Sequence, residues 1–111
     1  MLTACSIIWA AGTTRAQFVG GIEDLPLMPG LTEDAGAGVV FETTSGRIVE
    51  AVAAGPATRA QVLEFYDATL PQLGWQRIKS GQYRREGETL ILEFPGAGAG
   101  TAVRFRLTPQ G

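Results

Sequence analysis

The pattern of apolar and polar positions changes its period along the chain, and each change marks an element. Val39-Val40-Phe41-Glu42-Thr43 is β-branched and aromatic, which suits a strand. Thr44-Ser45-Gly46 supplies a turn, and Arg47-Ile48-Val49-Glu50-Ala51-Val52-Ala53 returns, so the spacing predicts an antiparallel hairpin that Gly55-Pro56 ends. The period then shifts. Thr58-Arg59-Ala60-Gln61 has the form of a capping box, in which a hydroxyl and an amide satisfy the first free N–H groups of a helix. Val62, Phe65, Tyr66, Thr69 and Leu73 follow at helical spacing, widened by Leu63 and Leu70. Pro71 lacks an amide donor, so the α-helix is expected to stop near Leu70, and Gly74 is a natural terminator.

Alternation resumes after the helix. Trp75–Lys79 and Gln82–Arg85 flank a Ser80-Gly81 turn, and Gly87 leads into Thr89–Phe94, where Leu90, Leu92 and Phe94 share a face. A glycine-rich loop, Pro95–Gly100, precedes the clearest strand of the chain. There Val103, Phe105 and Leu107 point one way, and Arg104 and Arg106 the other. A register slip of one residue would bury both arginines, so the pattern fixes the pairing. The expected fold class is α+β: an antiparallel sheet of about five to six strands, in the order β-β-α-β-β-β-β, with one amphipathic helix on one face.

Two segments precede this body, residues 39–108. Residues 17–38 form an extended lead-in with Pro26, Pro29 and the Pro29-Gly30 turn signal. Leu25, Leu27, Met28 and Leu31 are too apolar for a free linker, so the segment either closes the domain's own core or docks in a partner's groove. Residues 1–16 are apolar up to Gly12, and Thr14-Arg15-Ala16 has the small-x-small form of a signal-peptidase site, with a mature chain starting at Gln17. The apolar run falls short of the roughly 20 residues of a membrane span. No basic residue precedes it, which suggests that translation starts upstream of Met1. A retained membrane leader and a buried N-terminal element of the fold are the alternatives. Leu2-Thr3-Ala4-Cys5 also resembles the lipobox of bacterial lipoproteins, although here the apolar stretch follows the cysteine instead of preceding it.

Glu64-Phe65-Tyr66 and Leu70-Pro71-Gln72-Leu73-Gly74-Trp75, followed by a hairpin with Tyr83, resemble a pattern in small exported bacterial domains, in which a helix reading F-Y-x-x-x-L-P-x-L-G-W precedes a sheet. The resemblance covers residues 39–108. It implies export and the fold, and brings over no functional residue, because such domains are mostly of unknown function.

Composition narrows the chemistry. There is no histidine, and Cys5 is the sole cysteine, so residues after the leader lack the familiar nucleophile–base pairs and soft metal ligands. An exported chain of this kind has no disulfide within its mature part and is held by packing and hydrogen bonds. The net charge of −2 gives no reason to expect nucleic acid. The charge is unevenly spread: residues 17–70 hold eight acids against two bases, and residues 75–111 six bases against three acids. The two halves are expected to neutralise each other. The sharper alternative is a basic sheet face formed by Arg104 and Arg106, joined by Arg77 or Lys79 and by Arg84 or Arg85, beside Tyr83. Glu42 and Glu50, on neighbouring strands of the hairpin, are a carboxylate pair that would suit acid–base work if they faced each other. The loop at residues 96–100 precedes a strand, not a helix, and reads as a connection instead of a phosphate cradle. The acidic doublets Glu23-Asp24 and Glu33-Asp34 lack the spacing of a calcium loop.

These observations lead to the expectation of a non-enzymatic module, periplasmic or secreted, that binds a protein or cell-envelope component. Its binding residues would be Leu25, Leu27, Met28 and Leu31 in the lead-in and Arg84, Arg104 and Arg106 on the sheet. No cofactor, metal or nucleic acid is expected. The alternatives are an accessory subunit of a membrane-bound complex, anchored by a retained leader, and a small carboxylate-based enzyme.

Overall fold

The computed structural model describes residues 17–96 and 100–109. The expected leader, its cleavage site, Cys5 and the middle of the glycine-rich loop lie outside the described residues.

The strands are β1 (Thr32–Glu33), β2 (Val39–Thr43), β3 (Gly46–Gly55), β4 (Gln76–Lys79), β5 (Gln82–Arg85), β6 (Glu88–Glu93) and β7 (Thr101–Pro109), with the helix α1 (Arg59–Thr69) between β3 and β4. All pairings are antiparallel. The sheet runs β1-β3-β7-β6-β5-β4, and β2 pairs with β3 along the same side as β1. The sheet therefore has seven strands instead of five or six. The additional one is β1, two residues that continue the line of β2 beyond a 3-10 turn at Ala35–Ala37. So short a strand shows no alternation. β7 is last in sequence but central in the sheet, between β3 and β6.

The helix begins as its sequence demands. The Thr58 hydroxyl accepts from the Gln61 N–H at 3.1 Å, and the Gln61 side-chain oxygen accepts from the Thr58 N–H at 2.8 Å. It gives way at Leu70 to a 3-10 turn, Leu70–Leu73, which Gly74 ends in the left-handed region at φ 93°. Val62, Tyr66 and Leu70 point down and are wholly buried. Opposite them lie Val49, Ala51 and Ala53 of β3, Val103, Phe105 and Leu107 of β7, Leu90 and Leu92 of β6, and Tyr83 of β5.

The helix alone does not cover this face. The lead-in covers the remainder, with Val19, Ile22, Leu25, Leu27 and Leu31 buried in the same core. Each such side chain contributes about 1.5–3 kcal/mol by leaving water. The segment folds on itself: the Val19 N–H donates to the Leu25 carbonyl and the Leu27 N–H to the Gln17 carbonyl, both at 2.8 Å. Tyr66 then fixes it to the helix. Its hydroxyl donates to the Pro26 carbonyl at 2.8 Å and accepts from the Met28 N–H at 3.0 Å. Its ring meets Phe105 edge-on at 5.5 Å. The segment also crosses the end of β3 closely, so that a Cβ at Gly55 would collide with the Gly30 carbonyl.

Tyr66→Phe keeps the ring and removes both bonds, leaving an amide and a carbonyl unpartnered. The variant is expected to lose about 1–3 kcal/mol in urea denaturation with an unchanged circular dichroism spectrum.

Candidate functional site

The two faces of the sheet differ. One carries the helix and the lead-in; among the described residues nothing covers the other. Cross-strand rows on that open face read Val39–Glu50–Arg106–Ile91 and Val52–Arg104–Glu93, with Phe41 beside Ile48 at the β2 end. Arg84, opposite Thr89, shares the face nearer the β4 end. Arg104 pairs with Glu93 at 3.1 Å, and Arg106 reaches both Glu50 and Glu93 at 3.4 Å. The result is an alternating ladder of charge, not a basic patch. Phe41 (58% exposed) and Val39 (42% exposed) border it.

The structure brings Arg84, Arg104 and Arg106 to one face, with Lys79 opposite Gln82 on the same side at the β4 edge, but separates them from Tyr83, Arg77 and Arg85. Tyr83 does not stand beside them: it faces the helix and is fully buried. Arg77, opposite Tyr83, shares that inner side and pairs with Asp67 at 3.2 Å. Arg85 lies over the Trp75 ring at 4.3 Å, grips the Asp24 carboxylate at 2.8 and 3.0 Å and donates to the Leu73 carbonyl at 2.9 Å. It ties the lead-in to the end of the helix and leaves the Asp24 carboxyl below the usual range, chiefly through that hydrogen bond. Leu25, Leu27 and Leu31 are buried in the core, with Met28 packed against it, so these side chains are occupied inside the domain and form no open docking surface. Asp24–Arg85, Asp67–Arg77 and Glu50–Arg106 join the acidic half to the basic half.

Glu42 and Glu50 do not face each other. Glu42 is opposite Arg47 and Glu50 opposite Val39, so the two positions are three residues apart along the ladder, an odd number that puts them on opposite faces. The acid–base pair is lost by this register. Among the described residues no three acidic, histidine or cysteine side chains gather as a metal site. A cleft of about 500 Å³ is lined by Ala54, Gly55, Pro56, Pro95, Gly96, Gly100, Thr101 and Ala102, with no titratable side chain among these described residues.

The densest polar cluster was not anticipated from sequence. Asp67 of α1 accepts from the hydroxyls of Tyr83 and Ser80, at 2.5 and 2.9 Å, and pairs with Arg77. Burial opposes the charge on Asp67, but these donors outweigh it and hold the carboxyl below its ordinary range. Burial, reinforced by the carboxylate, raises the Tyr83 hydroxyl. The group anchors the helix to the β4–β5 turn. Asp67 directly follows Phe65-Tyr66 and so sits one position from the apolar stripe, but only the strand register brings Tyr83 and Arg77 to it.

A depressed folded pKa means that Asp67 stabilises the fold above the ordinary carboxylate range and ceases to do so as pH falls through the folded value. Asp67→Asn is therefore expected to cost about 1.5–3 kcal/mol at neutral pH. Its deficit against the wild type narrows as pH falls from about 5 toward 2, as urea titrations across that range would reveal. No known family model, no curated protein and no solved structure matches this chain.

Proposed function

We propose that this protein is a non-enzymatic binding module whose open sheet face receives a protein component of the cell envelope. The observation that carries the reading is the one-sided cover of the sheet. The helix and lead-in supply the core, so the outer ladder of Glu50, Arg106, Glu93 and Arg104 is not needed to bury anything. It lies between Val39, Phe41 and Ile48 at one end and Ile91 further across. Arginines and an aromatic ring set among half-buried aliphatic side chains are the composition of a protein interface with a polar rim. A partner with alternating charge would exchange these intramolecular pairs for intermolecular ones and cover the apolar borders. The envelope setting rests on the expected leader and on the resemblance to exported domains.

The test is capture from membrane and soluble envelope fractions with tagged wild type and Arg104→Glu/Arg106→Glu. The charge reversal sets four carboxylates against one another on the ladder, so proteins held by this face are expected to be recovered with the wild type and lost with the variant. Recovery of the same proteins in the same yield by both, with the variant's melting transition intact, contradicts the reading.

A further inference from the structure

The two edges of the sheet are treated differently. The β4 edge carries Arg77 and Lys79, and its register shifts between them at a bulge; charge and irregularity of this kind deter strand addition. The β2 edge has no such basic residue and no such irregularity. Val39-Val40-Phe41-Glu42-Thr43 pairs with β3 without interruption and contains no lysine, arginine or proline. Every one of its residues is exposed, Val40 to 56% and Phe41 to 58%.

The register determines which backbone groups this edge offers. A two-residue turn, Thr44-Ser45, closes on the pair Thr43–Gly46, which is therefore a hydrogen-bonded pair. Bonded and non-bonded pairs alternate, so Phe41 and Val39 also bond to β3, while Val40 and Glu42 direct their N–H and C=O groups outward. The Asp34 N–H bond to the Val52 carbonyl has the matching parity on β3.

We propose that two copies of this chain pair through β2 in antiparallel register about a two-fold axis at Phe41. In that register Val40 of each copy stands opposite Glu42 of the other, and these are the residues whose backbone groups point outward. Each such pair exchanges both of its bonds. Phe41 meets its own counterpart at a non-bonded position, where side chains approach most closely. The full length of β2 is used. Shifting the axis to Glu42 would set two carboxylates directly opposite, which is unfavourable, whereas here each Glu42 faces a valine and keeps Arg47 on its other side. Ala35-Gly36-Ala37-Gly38, before β2, carries no side chain larger than a methyl to meet the other copy's turn. Pairing continues the sheet across the axis and joins the two open faces. The proposal rests on the edge and stands apart from the reading of the open face.

The test uses the full chain carrying Cys5→Ser, so that every thiol is an introduced one. Sedimentation up to about 1 mM, where a weak contact is populated, is expected to show a concentration-dependent dimer, abolished by Phe41→Lys. Single cysteines at 40, 41 and 42 then read the register under mild oxidation. Phe41→Cys is expected to cross-link rapidly, because non-bonded partners lie about 4.5 Å apart at Cα, within disulfide range. Val40→Cys and Glu42→Cys sit diagonally from their own counterparts, beyond about 7 Å, and are expected to remain reduced. A monomer at all concentrations, a dimer that survives Phe41→Lys, or cross-linking fastest at 40 or 42 overturns the proposal. The charge reversal at Arg104 and Arg106 is expected to leave cross-linking unchanged, which separates failure of the dimer from failure of the open-face reading.

Discussion

The side chain of Tyr66 joins three parts of the chain that are far apart in sequence. It grips Pro26 and Met28 of the lead-in, belongs to the helix, and its ring rests on Phe105 at the centre of the sheet. The geometry requires a tyrosine. A phenylalanine fills the space but leaves a carbonyl and an amide without partners, and the lead-in is otherwise held chiefly by its own turn and by apolar contact. Arg85 makes the second attachment, from Asp24 to Leu73, at the edge of the same layer. Between them these two side chains convert a proline-punctuated segment into half of the layer that covers the sheet.

That layer accounts for the asymmetry of the molecule. A helix of three turns is too narrow to cover a seven-stranded sheet, and a short helix is marginal in water on its own. The lead-in completes the cover on one face, and the core is then closed. The other face is left with a ladder of compensated charge and a fringe of aliphatic and aromatic side chains. Surface ion pairs of this kind contribute little to stability, about 0–1 kcal/mol each. Their regular alternation therefore bears more on what the face can meet than on how firmly the domain stands. The unprotected β2 edge lies at the border of that face, so strand pairing there would enlarge it without disturbing the core.

Local elements were legible because each is encoded by its neighbours in sequence. The capping box at Thr58–Gln61, the proline and glycine that end the helix, and the alternation of β7 are short-range signals, and the structure follows them. β1 was not legible, since two residues carry no period. Nor was the centrality of β7, which depends on long-range pairing with β3 and β6. The candidate site was read in part. Arg84, Arg104 and Arg106 do share a face, as alternation implied, but their acidic partners were invisible until the register placed Glu50 and Glu93 opposite them. The same register separated Glu42 from Glu50 and turned Tyr83 inward. The leucines of the lead-in left two readings open because an apolar extended segment has the same pattern whether it meets its own core or a partner's groove. Tyr66 decides between them here, through bonds that span about 40 positions of sequence.

The central claim is that the lead-in is an integral part of the folded body. Native-state hydrogen exchange on the amides of Val19, Leu27 and Met28, compared with Phe105 in β7, tests it most directly, because amides that open only with global unfolding share one protection free energy. The account predicts that all four exchange with that common value. Rapid exchange at Val19, Leu27 and Met28 beside a fully protected Phe105 would contradict it.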